Sequence, residues 1–150
     1  MRAPAISRAR LAVGLGLLIG GALLAGAASG AMTPASEDDV TVIRTEPLAN
    51  VPGQTLTVLT VNYGPGAKSR RHHHAGSVFA YVLSGAIRSE NSSTGPAKVY
   101  RAGDSFFEPS GSTHLVSANA SSTEPARLLA VVIAADGAQV TSFDEAPSAR

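Results

Sequence analysis

Four histidines are the residues of this chain best equipped for chemistry. Three are consecutive, His72-His73-His74, and the fourth, His114, comes forty residues after His74. Along a β-strand successive side chains alternate faces, so His72 and His74 share a face while His73 looks the other way. Two imidazoles at that spacing, joined by a third from a neighbouring strand, make a facial set of nitrogen donors that leaves positions open for water or substrate. Such a set suits one borderline divalent ion, Fe, Mn, Ni or Zn. The competing reading is a solvated basic patch, since Ser69-Arg70-Arg71 lead directly into the run.

Much other chemistry is excluded. The chain has no cysteine, so a thiolate nucleophile, a disulfide framework and a zinc ribbon are ruled out. No nucleotide, flavin or nicotinamide fingerprint and no GxSxG elbow is present. The formal net charge is +1. Arg2, Arg8 and Arg10 fall in the leader; without them twelve basic residues become nine against eleven acidic ones, a balance of −2. Nothing in that balance suggests a nucleic-acid partner.

The histidines must be positioned by strands. From residue 40 the pattern has period two in short runs: 40–45, 55–63, 78–83, 98–102, 114–118 and 127–135, rich in β-branched and aromatic residues. Turn-formers separate them, among them Gly64-Pro65-Gly66, Gly103-Asp104 and Pro109-Ser110-Gly111. No segment after residue 32 shows an apolar face at helical spacing. The expected architecture is an all-β sandwich or barrel.

Ahead of it, residues 1–10 carry three arginines and no acid, Leu11 to Leu24 is almost wholly apolar, and small residues follow. That is the order of a secretory signal peptide over residues 1–31. An uncleaved anchor over residues 11–32 is the alternative, disfavoured by the short apolar part and its tail of small residues. The expected organisation is this leader, a polar linker at 32–40, one domain at 41–143 and a flexible tail at 144–150. The product would be exported from a bacterial cell, periplasmic or secreted, with no stable membrane insertion after cleavage.

Two stretches around the histidines carry more. Residues 64–85 read GPGAKSRRHHHAGSVFAYVLSG and residues 103–119 read GDSFFEPSGSTHLVSAN. They resemble the two signature motifs of the cupin superfamily. Gly66, His72, His74 and Gly85 match the first in place, and Gly103, Pro109, Gly111 and His114 match the second. The resemblance implies a cupin double-stranded β-helix, a jelly-roll barrel with the metal inside. There are two departures. The motif's glutamate falls at Val78, and the asparagine that closes the second motif is expected at Ala118 but stands at Asn119.

Glu108 offers compensation. In the resembling family the residue before this proline is usually apolar and inward; an inward acid is costly unless paired or bound to a cation. Glu108 is therefore the candidate fourth ligand or general base, against the alternative of an exposed strand-end acid. Phe106 shares its parity and would form an apolar wall of the substrate pocket. Arg70, on the parity of His72 and His74, is a candidate for meeting an anionic substrate, against the alternative of a solvated loop charge. Tyr81 reads as packing. Asn91-Ser92-Ser93 and Asn119-Ala120-Ser121 match the glycosylation pattern.

The first functional expectation is a metal-dependent oxygenase on a small organic substrate. The alternatives are a non-catalytic module that captures a small ligand or metal, for which the loss at Val78 argues, and a sugar-type isomerase. The apolar segment 127–135 would either close the barrel or form a homodimer contact.

Overall fold

Period-two patterning makes strands that bury one face, and two such sheets can bury those faces against each other. The computed structural model describes residues 38–144, and there the runs at 55–63, 78–83, 114–118 and 127–135 do this, while those at 40–45 and 98–102 bury no face. The proposed signal peptide, linker residues 32–37 and tail residues 145–150 lie outside the described residues. Ten strands follow in order: β1 (Asp39–Pro47), β2 (Gln54–Tyr63), β3 (His72–His74), β4 (Ser77–Ser84), β5 (Ala86–Asn91), β6 (Gly95–Arg101), β7 (Ser105–Glu108), β8 (Thr113–Asn119), β9 (Ala126–Ala135) and β10 (Thr141–Phe143). No helix occurs among the described residues. β1 begins at Asp39, two residues inside the expected linker.

The first sheet runs β1-β2-β9-β4-β7 and the second β10-β3-β8-β5-β6, with antiparallel neighbours throughout. Alternation is clearest in the first. On β4, Val78, Ala80 and Val82 are buried while Phe79, Tyr81 and Leu83 are exposed. β9 lies in the middle of this sheet, so it closes the barrel with Leu128, Ala130 and Val132 while Leu129, Val131 and Ile133 form the opposite face. Alanines at inward positions 80 and 130 fill little space, and a cavity of about 240 Å³ remains between the sheets.

The crossing from β3 to β4 depends on Gly76. A Cβ there would lie 1.9 Å from the Ile133 carbonyl oxygen, so only glycine lets the chain pass β9 this closely. Gly85 carries a φ of +70°, and a Cβ would meet the Pro125 carbonyl at 2.5 Å. Both features explain the glycine that ends the first motif.

Four strands lie outside the period-two runs: β3, β5, β7 and β10. β5 turns Ile87, Ser89 and Asn91 inward, two of them polar, which hides the alternation. β3 and β10 are three residues each, too short to show a period. β8 explains the late asparagine. Glu90 pairs with Val116 and Asn91 with His114, so Leu115 is an extra residue in the strand. This bulge shifts the following parity by one and brings Asn119 to the buried face. There its amide donates to the Gly64 and Glu124 carbonyls at 2.9 and 2.7 Å.

Candidate metal centre

His72 and His74 stand on β3 with His73 pointing outward, and β3 pairs with β8 so that His72 lies directly opposite His114. The three rings close on one another. Centroids are 4.9 Å apart for His72 and His74 and 5.0 Å for His72 and His114, and one ligand nitrogen from each of the three lies within 4.8 Å of the others. All three line the cavity.

Each ring is anchored from behind through one nitrogen. His72 Nδ1–H donates to the Arg70 carbonyl at 2.6 Å. His74 Nδ1–H is shared between the Val140 carbonyl at 3.2 Å and Thr141 Oγ1 at 3.1 Å. His114 Nε2 lies 2.8 Å from Ser89 Oγ. Nε2 of His72 and of His74 and Nδ1 of His114 are thus the nitrogens left for a ligand. Anchoring of this kind fixes ring orientation and is what metal-binding imidazoles require.

Glu108 lies beside the group. It is 4% exposed, at the end of β7, and its Oε1 lies 3.1 Å from His114 Nδ1. Asn91 donates to its Oε2 at 3.3 Å and to Ser112 Oγ at 2.9 Å. Val78, which occupies the position of the missing motif glutamate, is the cross-strand partner of Glu108. Directly opposed side chains on neighbouring strands are about 5 Å apart at Cβ. A carboxylate thus stands on β7 directly across from Val78, where β4 carries none.

The electrostatics favour neutral donors beside an anion. Burial holds the His72 and His74 imidazoles below their ordinary range, outweighing their hydrogen bonds to Arg70 and Val140. For Glu108 burial pushes upward, but the hydrogen bond to His114 and the nearby histidines prevail, leaving it below the usual carboxylate range. Two proton placements satisfy His114. Protonated on Nδ1, it donates to Glu108 and accepts from Ser89. Protonated on Nε2, it donates to Ser89, and its Nδ1 lone pair then faces a carboxylate oxygen, an arrangement that needs a cation between them. The 3.1 Å separation suits that cation, since adjacent donors on one ion with bonds of about 2.1 Å lie about 3.0 Å apart. The three imidazoles are a donor set for a divalent first-row metal, with the Glu108 carboxylate beside His114.

Phe106 is where its parity put it, inward, with its ring 6.0 Å from that of His114. Tyr81 is on the outer face. Arg70 is placed differently from its expected substrate role. It does not line the cavity; its guanidinium lies 5.1 Å over the Phe143 ring and donates to the Asp144 carbonyl at 2.9 Å, holding β10 against β3. Ser89 and Asn91, which support His114 and Glu108, escaped sequence reading. The only available signal was that they share strand parity two residues apart. Asn91 and Asn119 are buried and hydrogen-bonded, so neither offers a glycosylation site.

A family model described as a cupin domain matches residues 59–132. No curated protein matches the chain in sequence. Similar solved structures include a conserved double-stranded β-helix protein from Klebsiella pneumoniae, at 21% identity and TM-score 0.54, covering 73% of this chain and 86% of that one. An oxalate oxidase in complex with the substrate analogue glycolate has 22% identity and TM-score 0.56, covering 75% and 57%. The DMSP lyase DddQ from Ruegeria pomeroyi has 20% identity and TM-score 0.50, covering 59% and 42%, so this chain spans less than half of that enzyme. At these identities the likeness is one of fold. Through residues 59–132 the chain belongs to the cupin family.

Proposed function

We propose that this chain is an exported, metal-dependent cupin enzyme acting on a small organic molecule, with oxygenase chemistry as its reaction class. One observation carries the reading: three imidazoles, each anchored through one nitrogen, converge with the buried carboxylate of Glu108 on a largely apolar cavity. His72, His74 and His114 would hold the ion, with Glu108 as fourth ligand or as the base beside it. A bound divalent ion would supply Lewis acidity to an oxygen of the ligand. Glu108, ionised and steadied at Oε2 by Asn91, accepts the proton that the ligand sheds. Phe106 and the apolar wall of β2, β4 and β9 keep water away and strengthen these interactions.

A sugar would leave several hydroxyls facing that apolar wall, which argues against the isomerase. The capture module stays as the second reading, on the ground that the family's glutamate is replaced by Val78. Elemental analysis of untagged protein, followed by oxygen uptake on a phenolic and diketone panel, separates the two. About one iron or manganese per chain with uptake supports the enzyme; metal without turnover supports capture; no metal removes both. Unchanged metal and turnover in Glu108→Ala would dispose of both roles given to that residue.

The reading extends to a homodimer. The outer face of the first sheet presents a register row of Val58, Val131, Phe79 and Phe107, in which the two phenylalanines are about half exposed. These four residues are uncharged, with Arg44 following on β1 at the edge of the row, and an apolar stretch of this kind suits a twofold contact. A monomer mass by light scattering at micromolar concentration would refute it.

A further inference from the structure

The cavity has a second polar end. Tyr63, buried at the end of β2, places its hydroxyl 2.8 Å from Ser69 Oγ and 2.7 Å from Ser117 Oγ, and Ser69 donates to Asp38 Oδ2 at 2.8 Å. Counting hydrogens fixes the direction of the chain. Ser69 has one hydroxyl hydrogen and gives it to the carboxylate, so Tyr63 must donate to Ser69, and Ser117 must then donate to Tyr63. Burial pushes the Tyr63 phenol up to about 12, against its hydrogen bonds with Ser117 and Ser69, so it keeps the proton it donates.

Ser117 is 5% exposed, lines the cavity and has spent its only hydrogen. It can therefore offer a ligand only lone pairs. Each donation behind it runs toward Asp38, which polarises the chain and gives this end a negative potential. Asp38 and Glu108 are the acidic residues lining the cavity, and no lysine or arginine lines it. With a divalent ion on the histidines the cavity becomes dipolar, positive at His72, His74 and His114 and negative at Ser117 and Asp38. His114 and Ser117 are three residues apart on a bulged strand, so the two ends are separated by less than about 10 Å. The same cavity is lined by apolar side chains such as Val61, Ala80 and Leu128.

From this we infer that the cavity selects a small zwitterion, its carboxylate turned toward the histidines and its ammonium group toward Ser117 and Asp38, joined by a short apolar chain. The ammonium supplies the hydrogens that Ser117 lacks and the charge that Asp38 attracts. A second carboxylate at that end would meet lone pairs and a like charge. The inference rests on reading the histidine cluster as a metal centre and goes beyond it by assigning the ligand's other end. The cavity of about 240 Å³ has room for a chain of this length.

The test is calorimetric titration of the metal-loaded protein with three probes of matched length: 4-aminobutanoate, pentanoate and glutarate. The expected order of affinity is the order given, with 4-aminobutanoate ahead of pentanoate by about tenfold, as a charge-assisted hydrogen bond supplies. Asp38→Asn and Ser117→Ala should each shrink that preference at unchanged metal content. Glutarate binding as tightly as 4-aminobutanoate, no binding by any of the three, or a preference intact in both variants would overturn the inference. Metal content of the same sample is measured separately. If it is nil, the metal reading fails, and n-butylammonium against butanoate still interrogates the Asp38 end, where equal binding sinks the inference by itself.

Discussion

The inward faces of the two sheets differ sharply in composition. The first presents Leu59, Val61, Ala80, Val82, Leu128, Ala130 and Val132; the second presents His72, His114, Ser89, Asn91, Ser117 and Asn119. Apolar burial, worth about 25 cal/mol per Å², is thus concentrated on one wall, and nearly all the groups that can ligate, donate or accept stand on the other. A barrel folded this way can lose chemistry without losing its shape, because the wall that binds is not the wall that holds. Tyr63 on β2 is one exception and Glu108 the other. Glu108 grows from β7 at the edge of the apolar sheet and reaches across to His114.

The division is broken most forcefully at the ligands. Replacing His72 or His114 by alanine should lower metal affinity by at least about a hundredfold, taking one ligand's share of a typical site energy. The metal-free His72→Ala variant should unfold thermally within a few degrees of the metal-free parent, whereas His114→Ala, which leaves the buried Glu108 without its histidine, should unfold lower. A metal-free variant that fails to fold would show that the polar wall is structural after all. The reverse lesion comes next in size. Val82→Ala or Val132→Ala, each at a position 1% exposed or less, should cost about 2 kcal/mol, lowering the melting temperature by roughly 10 °C. Metal stoichiometry should stay at that of the parent, and its loss would mean that the two walls are coupled.

The same division decided what could be read in the sequence. β2, β4 and β9 announced themselves because their inward residues are apolar and alternate with polar or outward ones. β5 did not, since Ser89 and Asn91 occupy inward positions that a period-two search expects to be apolar. The polar side chains that make the site work are the ones that erase the pattern of the strand carrying them. Three of the four candidate ligands followed from the motif spacing. Glu108 needed a different argument, that an acid where an apolar residue is usual must have a partner. Only the pairing of β4 with β7 shows that it stands beside Val78 and returns a carboxylate to that spot. The Leu115 bulge was illegible for the reason that a single inserted residue changes register but not composition.

That displaced carboxylate gives a sharper test. Glu108→Val should weaken metal binding, and adding Val78→Glu should recover at least about tenfold of the loss, because the two positions face each other across one strand pair. No recovery, together with an unchanged metal affinity in the single variant, would confine Glu108 to a role in proton transfer. A smaller effect is expected at Ser89. Ser89→Ala removes the oxygen that anchors His114 Nε2, and such supporting partners contribute about tenfold in metal affinity. Thermal stability of the metal-free protein should move little, and isothermal titration with Mn or Zn reads the difference.

The gentlest probe is pH, which reads the buried titratable groups of both walls, His72 and His74 on one and Glu108 and Tyr63 on the other. In the folded metal-free protein His72 and His74 sit below their ordinary value of 6.5, so the folded state holds fewer protons than the unfolded one as the solution is acidified. Stability must therefore fall as pH drops below about 6.5. Glu108, held below its ordinary 4.5, adds stability that is present above that value and is lost as pH falls through its lower folded value, a second and more acidic stage. At the other extreme Tyr63, raised from 10.0 to about 12, contributes stability that is lost as pH rises between those values. Melting temperatures measured in chelator across this range should fall on both sides of a neutral plateau. His72→Gln and His74→Gln should flatten the first acid step and leave the alkaline limb untouched. An acid step of full size in both variants would place its origin outside the histidine pair and remove the burial of those two rings as its cause.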